Sequence, residues 1–379
     1  MKKATLRISR FILTAAAMIC ASTVSAQVVR GAGATLPWPL YNDIFSSNGL
    51  DGVVGTWDYE GGGSAEGKKR FLDKFRSDIV SFAGSDSVLR AAELADYNLR
   101  NHSTWGPLIQ LPAFITPIVL AYTKSGLSEL SLTRSQVCGI FAGRPSAQTW
   151  GQVLGNGDPQ PIRVVYRSGS SGSTEILSKF LFEACSGYGF VITDSFETMV
   201  GGAMMNGIPN HWLAVTSDGD MSTSARVNGS LGYLGPAYGF TPNDPTKVAK
   251  IDGFLPSNIN VVSTVLPPVG AAKSDPMNWI PSFMVPSTGT GYPIYGSTNL
   301  LVAQCYEGGF GIGSVGAAVR AFLLKLYGTT AYAQKISSNY FVELPGIWKT
   351  AIRDTFLVSQ PNNALDIGNP LVCSNVGHP

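Results

Sequence analysis

Several things are scarce in this chain. Charged residues make up only 14% of it, and its three histidines, His102, His211 and His378, lie far apart. No CxxC and no HExxH occurs, so neither a structural nor a catalytic zinc site is expected, and no cofactor is implied. Past the N-terminus no apolar run reaches the ~18 residues of a membrane-spanning helix, so the mature protein is expected to be soluble. The loop after Arg167 has no Gly-Lys pair, which removes P-loop nucleotide hydrolysis. Ser173 occupies the last glycine position of a GxSxG elbow, which removes that nucleophile motif too.

The N-terminus reads as a leader. It opens MKKATLRISRFILTAAAMICASTVSA, with Lys2, Lys3, Arg7 and Arg10 before an apolar run from Phe11 and small residues at Val24-Ser25-Ala26. This pattern predicts a signal peptide over residues 1–26. Cys20 lacks the small preceding residue of a lipid-bearing cysteine, because Ala17-Met18-Ile19 stands before it. Cleavage leaves 353 residues and takes the formal charge from +2 to about −2. Such a balance gives no reason to expect nucleic acid or an anionic membrane as partner. The length exceeds the ~250–300 residues at which single cores split, so two lobes are expected. Four cysteines remain, Cys138, Cys185, Cys305 and Cys373, and in an exported chain an even number predicts disulfides. Three pairings are possible; sequence order favours Cys138–Cys185 and Cys305–Cys373.

Strand-like runs at Asp78–Ala83, Leu108–Tyr122, Ile162–Tyr166 and Leu300–Tyr306 alternate with helix-like ones at Leu40–Phe45, Lys68–Phe75, Glu175–Phe182 and Ala317–Tyr327. The alternation predicts α/β layers. LIQLPAFITPIVLAYTK, with Pro112 and Pro117, reads as an extended crossing between lobes, since proline disfavours an unbroken central strand. The stretch from Pro242 to Tyr292 is loop-rich and shows no clear period.

Three glycine-rich turns lead into helices. In YRSGSSGSTEILSKF, Arg167 is followed by Gly169, Ser170, Ser171, Gly172 and Ser173, and then by Ile176, Leu177, Phe180 and Leu181 on one helical face. Small residues let backbone N–H groups turn to a ligand, a helix start carries unpaired donors and partial positive charge, and arginine adds a charged fork. An anion suits such a place; a plain Ser/Thr cap is the bland alternative. GAGATLPWPLYNDIF repeats the pattern, with Thr35 as expected N-cap and Pro37 and Pro39 in the first turn. So does YEGGGSAEGKKRFLDKF, with Ser64 as expected N-cap. Gly311 to Gly316 matches GxGxxG, but no acid stands near twenty positions on, so a glycine-rich turn into a helix is the default.

GAGATLP, FAGSDSVLRAAELADY, VVYRSGSSGSTE, TGYPIYGSTNLLVAQCY and ALDIGNPLVCSNVG occur in an order that resembles the phosphate-binding subunit of bacterial phosphate importers, and more closely its DING branch. The resemblance covers nearly the whole mature chain. It implies a two-lobed, type II periplasmic-binding-protein fold of α/β class, with the ligand in the interlobe cleft: lobe I from 27–111 and 288–379, lobe II from 112–287. Carried over residue by residue, it implies phosphate contacts from Thr35, Leu36, Ser64 and Asp86 in lobe I and from Arg167, Ser171, Gly172 and Ser173 in lobe II. Asp86 is the discriminating member, because an ionised carboxylate only accepts and hydrogen phosphate has a proton to give, whereas sulfate has none. Without the resemblance, Asp86 between Ser85 and Ser87 reads as a turn acid.

The chain departs from that family in three places. Val28-Val29-Arg30-Gly31 replaces the name-giving Asp-Ile-Asn-Gly, Gly169 stands where many relatives hold an acid that orients the arginine, and Ser173 replaces threonine. The resemblance implies a periplasmic or secreted monomer that binds inorganic phosphate and delivers it to an ABC permease, without catalysis. Two rival readings are a DING-type phosphomonoesterase using the Asp86-Ser87 pair, and an extracellular interaction protein with a vestigial phosphate site.

Overall fold

The computed structural model describes residues 28–46, 55–261, 265–282, 289–359 and 364–379. The leader expected over residues 1–26 lies outside them. Two sheets organise the chain. Strands β1 (Val28–Gly33), β2 (Thr56–Glu60) and β3 (Phe82–Ser85) run parallel, and β11 (Tyr295–Ala303) joins β3 antiparallel and carries β4 (Leu108–Pro117) on its other edge, giving the order β2-β1-β3-β11-β4. The second sheet has the order β5-β9-β7-β8, from β5 (Val119–Thr123), β7 (Arg163–Arg167), β8 (Leu213–Val215) and β9 (Ser230–Leu234). There β7 lies parallel to β8 and β9, and β5 is antiparallel to β9. A short ribbon of β6 (Ser131–Leu132) and β10 (Lys250–Ile251) completes the strands.

The chain passes from one sheet to the other at Ile118 and back at Ile294, whereas the sequence suggests divisions at 111/112 and 287/288. The reason is Pro112. It sits inside β4 without breaking it, because β4 pairs only with β11 in that sheet and the register shifts at Thr298/Asn299 opposite. The loop before the return crossing also belongs partly to the first lobe. Trp279 is fully buried in that lobe's core, and Gln110 donates to the Pro276 carbonyl at 3.1 Å. From Pro242 to Tyr292 the described residues form only β10 and two short 3-10 turns, as the lack of period suggests.

Each sheet has its own apolar core. The first is aromatic, with Tyr41, Trp57, Phe82, Phe114 and Phe322 among its members; the second gathers Phe141, Phe196, Tyr233 and the apolar face of the Gly172–Ala184 helix. Glycine sets the approach of helix to sheet near the cleft. A Cβ at Gly67 would lie 2.3 Å from Gly33 Cα, so only glycine lets the Ser64–Leu72 helix press on the end of β1. Each lobe holds one disulfide, Cys138–Cys185 and Cys305–Cys373, with Cα separations of 5.6 and 5.2 Å. Loops of this size constrain the unfolded chain by about 4 kcal/mol each in the chain-entropy picture. The GxGxxG stretch is a turn that delivers Ser314 as N-cap of the Val315–Leu326 helix; a Cβ at Gly316 would meet the Phe310 ring at 2.7 Å.

His378 is buried in the first lobe, stacked on Phe71 at 4.3 Å between centroids, with Nε2 3.0 Å from the Phe71 carbonyl. Burial pushes its pKa down to about 4. Above the unfolded value near 6.5 neither state carries the charge. Between about 6.5 and 4 the unfolded chain takes a proton that the folded one refuses, so stability falls with pH, on the order of 3 kcal/mol in all. Denaturant titrations at pH 7 and 4.5 are expected to show a stability change on acidification that is about 2–3 kcal/mol less favourable in the wild type than in His378→Phe, since proton uptake elsewhere, at Asp86 among others, contributes equally to both. Equal changes in both would refute the assignment.

Candidate functional site

The segments that the sequence singles out all leave the carboxyl ends of parallel strands. Ala34 to Leu36 follows β1, Gly61 to Ser64 follows β2, Asp86 follows β3, and Arg167 ends β7. In open α/β sheets ligands bind beyond these ends. The two sheets face each other there. A Cβ on Gly172 would lie 2.3 Å from Asp86 Cβ and 2.8 Å from Ser64 Oγ, so lobe II's helix start touches lobe I's acid and serine directly. Leu36, from lobe I, is buried in the core of lobe II, where its Cδ2 would lie 2.0 Å from a Cβ on Gly235. Thr35, Leu36, Ser64, Asp86, Arg167, Ser171, Gly172 and Ser173 therefore come together in one buried cleft.

The helix starts differ in detail from the sequence reading. Thr35 does not cap: the first helix begins at Trp38, and the Thr35 hydroxyl instead donates across the cleft to Asp218 Oδ2 at 2.7 Å. Ser64 is the first helical residue, because Gly63, at φ 95°, takes the cap. Its hydroxyl is thus free to accept from the Asp86 N–H at 3.0 Å. Ser171 does cap the Gly172–Ala184 helix, its Oγ accepting from the Thr174 N–H at 3.4 Å. These starts leave the N–H groups of Leu36, Ser64, Gly172 and Ser173 in the buried cleft without a backbone or side-chain acceptor among the described residues. Buried N–H groups are rarely left so.

Arg167 is buried, at 5% exposure. Nη1 donates to Asp218 Oδ1 at 3.0 Å and Nη2 to the Thr216 carbonyl at 2.8 Å, while Nε has no protein partner among the described residues. Gly169 is exposed and offers no acid; Asp218 supplies the counter-charge from the first turn of the Asp218–Ala225 helix. Asp86 is held by its own chain of hydroxyls. Thr298 donates to Asp86 Oδ1 at 2.6 Å and lies 2.7 Å from the Thr116 hydroxyl. Burial pushes the Asp86 carboxyl up to about 8; Asp218 and Glu175 add to the rise, and the Thr298 hydrogen bond and Arg167 oppose it. Sequence reasoning missed Asp218, Thr298, Thr216 and Tyr238, whose hydroxyl donates to the Thr35 carbonyl. Asp218 reads in sequence only as an acid in a helix's first turn, and nothing local ties it to Arg167.

The lobes also meet beyond the cleft. Arg90, at the start of the Ala91–Arg100 helix, pairs with Asp194 at 2.7 Å, and the Asp194 carbonyl accepts from the Ser171 N–H at 2.8 Å. What the site offers chemically is a set of neutral donors, one guanidinium whose charge is already balanced, and one carboxyl that holds or accepts a proton.

A family model described as a PBP superfamily domain matches residues 21–324. This chain belongs to that superfamily, among the phosphate-binding and DING proteins. Alkaline phosphatase L of Pseudomonas aeruginosa strain PAO1 is 38% identical over 97% of this chain and 99% of its own. A phosphate-binding protein of Stenotrophomonas maltophilia superposes with a TM-score of 0.80 at 33% identity, over 93% of this chain and 100% of that one. The high-affinity periplasmic phosphate-binding protein PfluDING, solved with phosphate, superposes with a TM-score of 0.79 at 33% identity and the same coverage. The fold is accordingly the two-lobed one of the periplasmic binding proteins.

The Gly172 contact generates a test. Gly172→Ala places a methyl where Asp86 and Ser64 stand, and relief requires the lobes to part. The closed form is expected to lose about 1–3 kcal/mol or more. Small-angle scattering would register this as a larger radius of gyration; an unchanged radius would show that the close approach is not needed.

Proposed function

We propose that this chain is an exported inorganic phosphate-binding protein that closes its two lobes on the anion. Thr35 and Leu36 contribute backbone N–H groups, Ser64 its hydroxyl and N–H, Gly172 and Ser173 the N–H groups of a helix start capped by Ser171, and Arg167 its unpartnered Nε. Asp86 and the anion share one proton between them, the carboxyl's own below about pH 8 and hydrogen phosphate's above it. One observation carries this reading: the N–H groups of Leu36, Ser64, Gly172 and Ser173, which have no acceptor among the described residues, come from both lobes to the cleft that holds Asp86 and Arg167, where Gly172 touches Asp86 and Ser64 directly. The names of the phosphate-binding relatives support it. Residence in the periplasm or outside the cell, and delivery to an ABC permease, follow from the same kinship. Among the described residues no helix is long and apolar enough to cross a membrane.

A second reading is phosphomonoesterase activity, favoured by the name of the Pseudomonas relative. It requires a nucleophile, and Ser87 beside Asp86 is fully buried with its hydroxyl 3.2 Å from that of Ser85. Turnover of a chromogenic phosphoester that is abolished in Ser87→Ala would favour this reading; no turnover would remove it.

Calorimetric titration is expected to show phosphate binding far more tightly than sulfate at pH 9. Equal affinities would overturn the proposal. The margin depends on pH. Below about 8 a protonated Asp86 can donate to sulfate; above it the carboxylate meets an anion with no proton between them. Sulfate affinity is therefore expected to fall about tenfold per pH unit above 8, while hydrogen phosphate brings its own proton. Asp86→Asn, a donor at every pH, should lose this dependence; a wild-type sulfate affinity that is flat across pH 7–10 would remove Asp86 from the role.

A further inference from the structure

Asp218 is fully buried, and its two carboxylate oxygens serve different lobes. Oδ1 receives Nη1 of Arg167 at 3.0 Å, from lobe II, and Oδ2 receives the Thr35 hydroxyl at 2.7 Å, from lobe I. A hydroxyl has one hydrogen to give, and Thr35 gives it to Asp218. The Thr35 carbonyl accepts from Tyr238, also in lobe II, so the turn after β1 is tied across the cleft at both its side chain and its backbone. Among the described residues Asp218 is the one acid in ion-pair contact with Arg167.

We infer that Asp218 is a positioning residue that does two things with one carboxylate: it orients Arg167 for the anion, and it latches lobe I onto lobe II through Thr35. The inference rests on the phosphate-binding reading. Its physical content is kinetic. The Arg167 bond lies within one lobe and persists when the cleft opens. The Thr35 bond exists only when the lobes are together, so it resists opening and slows release while leaving capture by the open form unchanged. A buried carboxylate that loses one of its two donors is also costly, which makes opening less favourable still. Gly169 is exposed, and a Cβ there would meet no atom within 4 Å, so it lies outside this arrangement.

Stopped-flow measurement of phosphate association and release on the full chain tests this. Thr35→Val keeps the shape and every backbone donor and removes only the latch hydrogen. It is expected to release phosphate about tenfold faster, the loss of one charge-assisted hydrogen bond, with association within about twofold of wild type. Asp218→Asn is expected to speed release further. In the Asp218→Asn background the Thr35→Val effect should shrink at least threefold, on the order of the coupling found for residues in direct contact. Multiplying effects in the double variant would mean that the Thr35 hydroxyl acts on the anion directly, and would overturn the latch. Release from Thr35→Val at the wild-type rate would overturn it too, and needs no folded Asp218→Asn. A wild type that binds no phosphate would defeat the functional reading first, and this inference with it; binding by wild type with unaltered release in the variants would defeat the inference alone.

Discussion

Arg167 is the one cation of the cleft among the described residues, and its charge is cancelled before any ligand arrives. The Asp218 carboxylate beside it is fully buried, so the pair brings no net charge to the site. Breaking such a pair costs far more than forming it gains, since the remaining partner would be a lone charge in low dielectric. The consequence reaches every other contact. On the proposed reading, an anion entering the cleft would be held by oriented N–H dipoles and hydroxyls rather than by bulk positive charge, and those donors would be useful only with the lobes together. The same carboxylate that neutralises Arg167 also takes the Thr35 hydroxyl from the opposite lobe, which binds charge balance to closure.

The architecture explains why so many donors can point one way. Three parallel strands of one sheet and one of the other end at the cleft, and helix starts follow two of these ends after short glycine-rich turns. Each start exposes N–H groups that the helix cannot satisfy, together with the positive end of its dipole. Glycine at 172 lets the second lobe's start touch Asp86 and Ser64, where any side chain would hold the surfaces apart. Asp86 completes the set from the opposite direction. With Thr298 and Thr116 behind it and little solvent near, its carboxyl has a strongly raised proton affinity, suited to sharing a hydrogen with a tetrahedral anion.

Much of this is legible in the sequence, for local reasons. Glycine clusters before amphipathic runs announce the helix starts at Ser64 and Gly172. Cysteine count and order indicate the disulfides that the structure contains. The caps are less legible. Thr35 and Ser64 have the chemistry of N-caps, but Gly63 takes one cap and the hydroxyl of Thr35 finds a better acceptor across the cleft. Pro112 looks like a strand breaker, and is tolerated because the register shifts at the opposing Thr298/Asn299 step.

What the sequence determined by itself is whatever depends on neighbours along the chain: the α/β alternation, the donor-rich turns, and the family to which the motifs belong. What only the tertiary structure decided is partnership between distant residues. Asp218 stands in for the acid missing at 169, Thr298 braces Asp86, and Thr35 spends its hydroxyl on the other lobe, all through contacts between residues far apart in the chain. A carboxylate in a helix's first turn looks the same in sequence whether it faces water or an arginine. Only the packing of two sheets across a cleft removes the water and makes the choice.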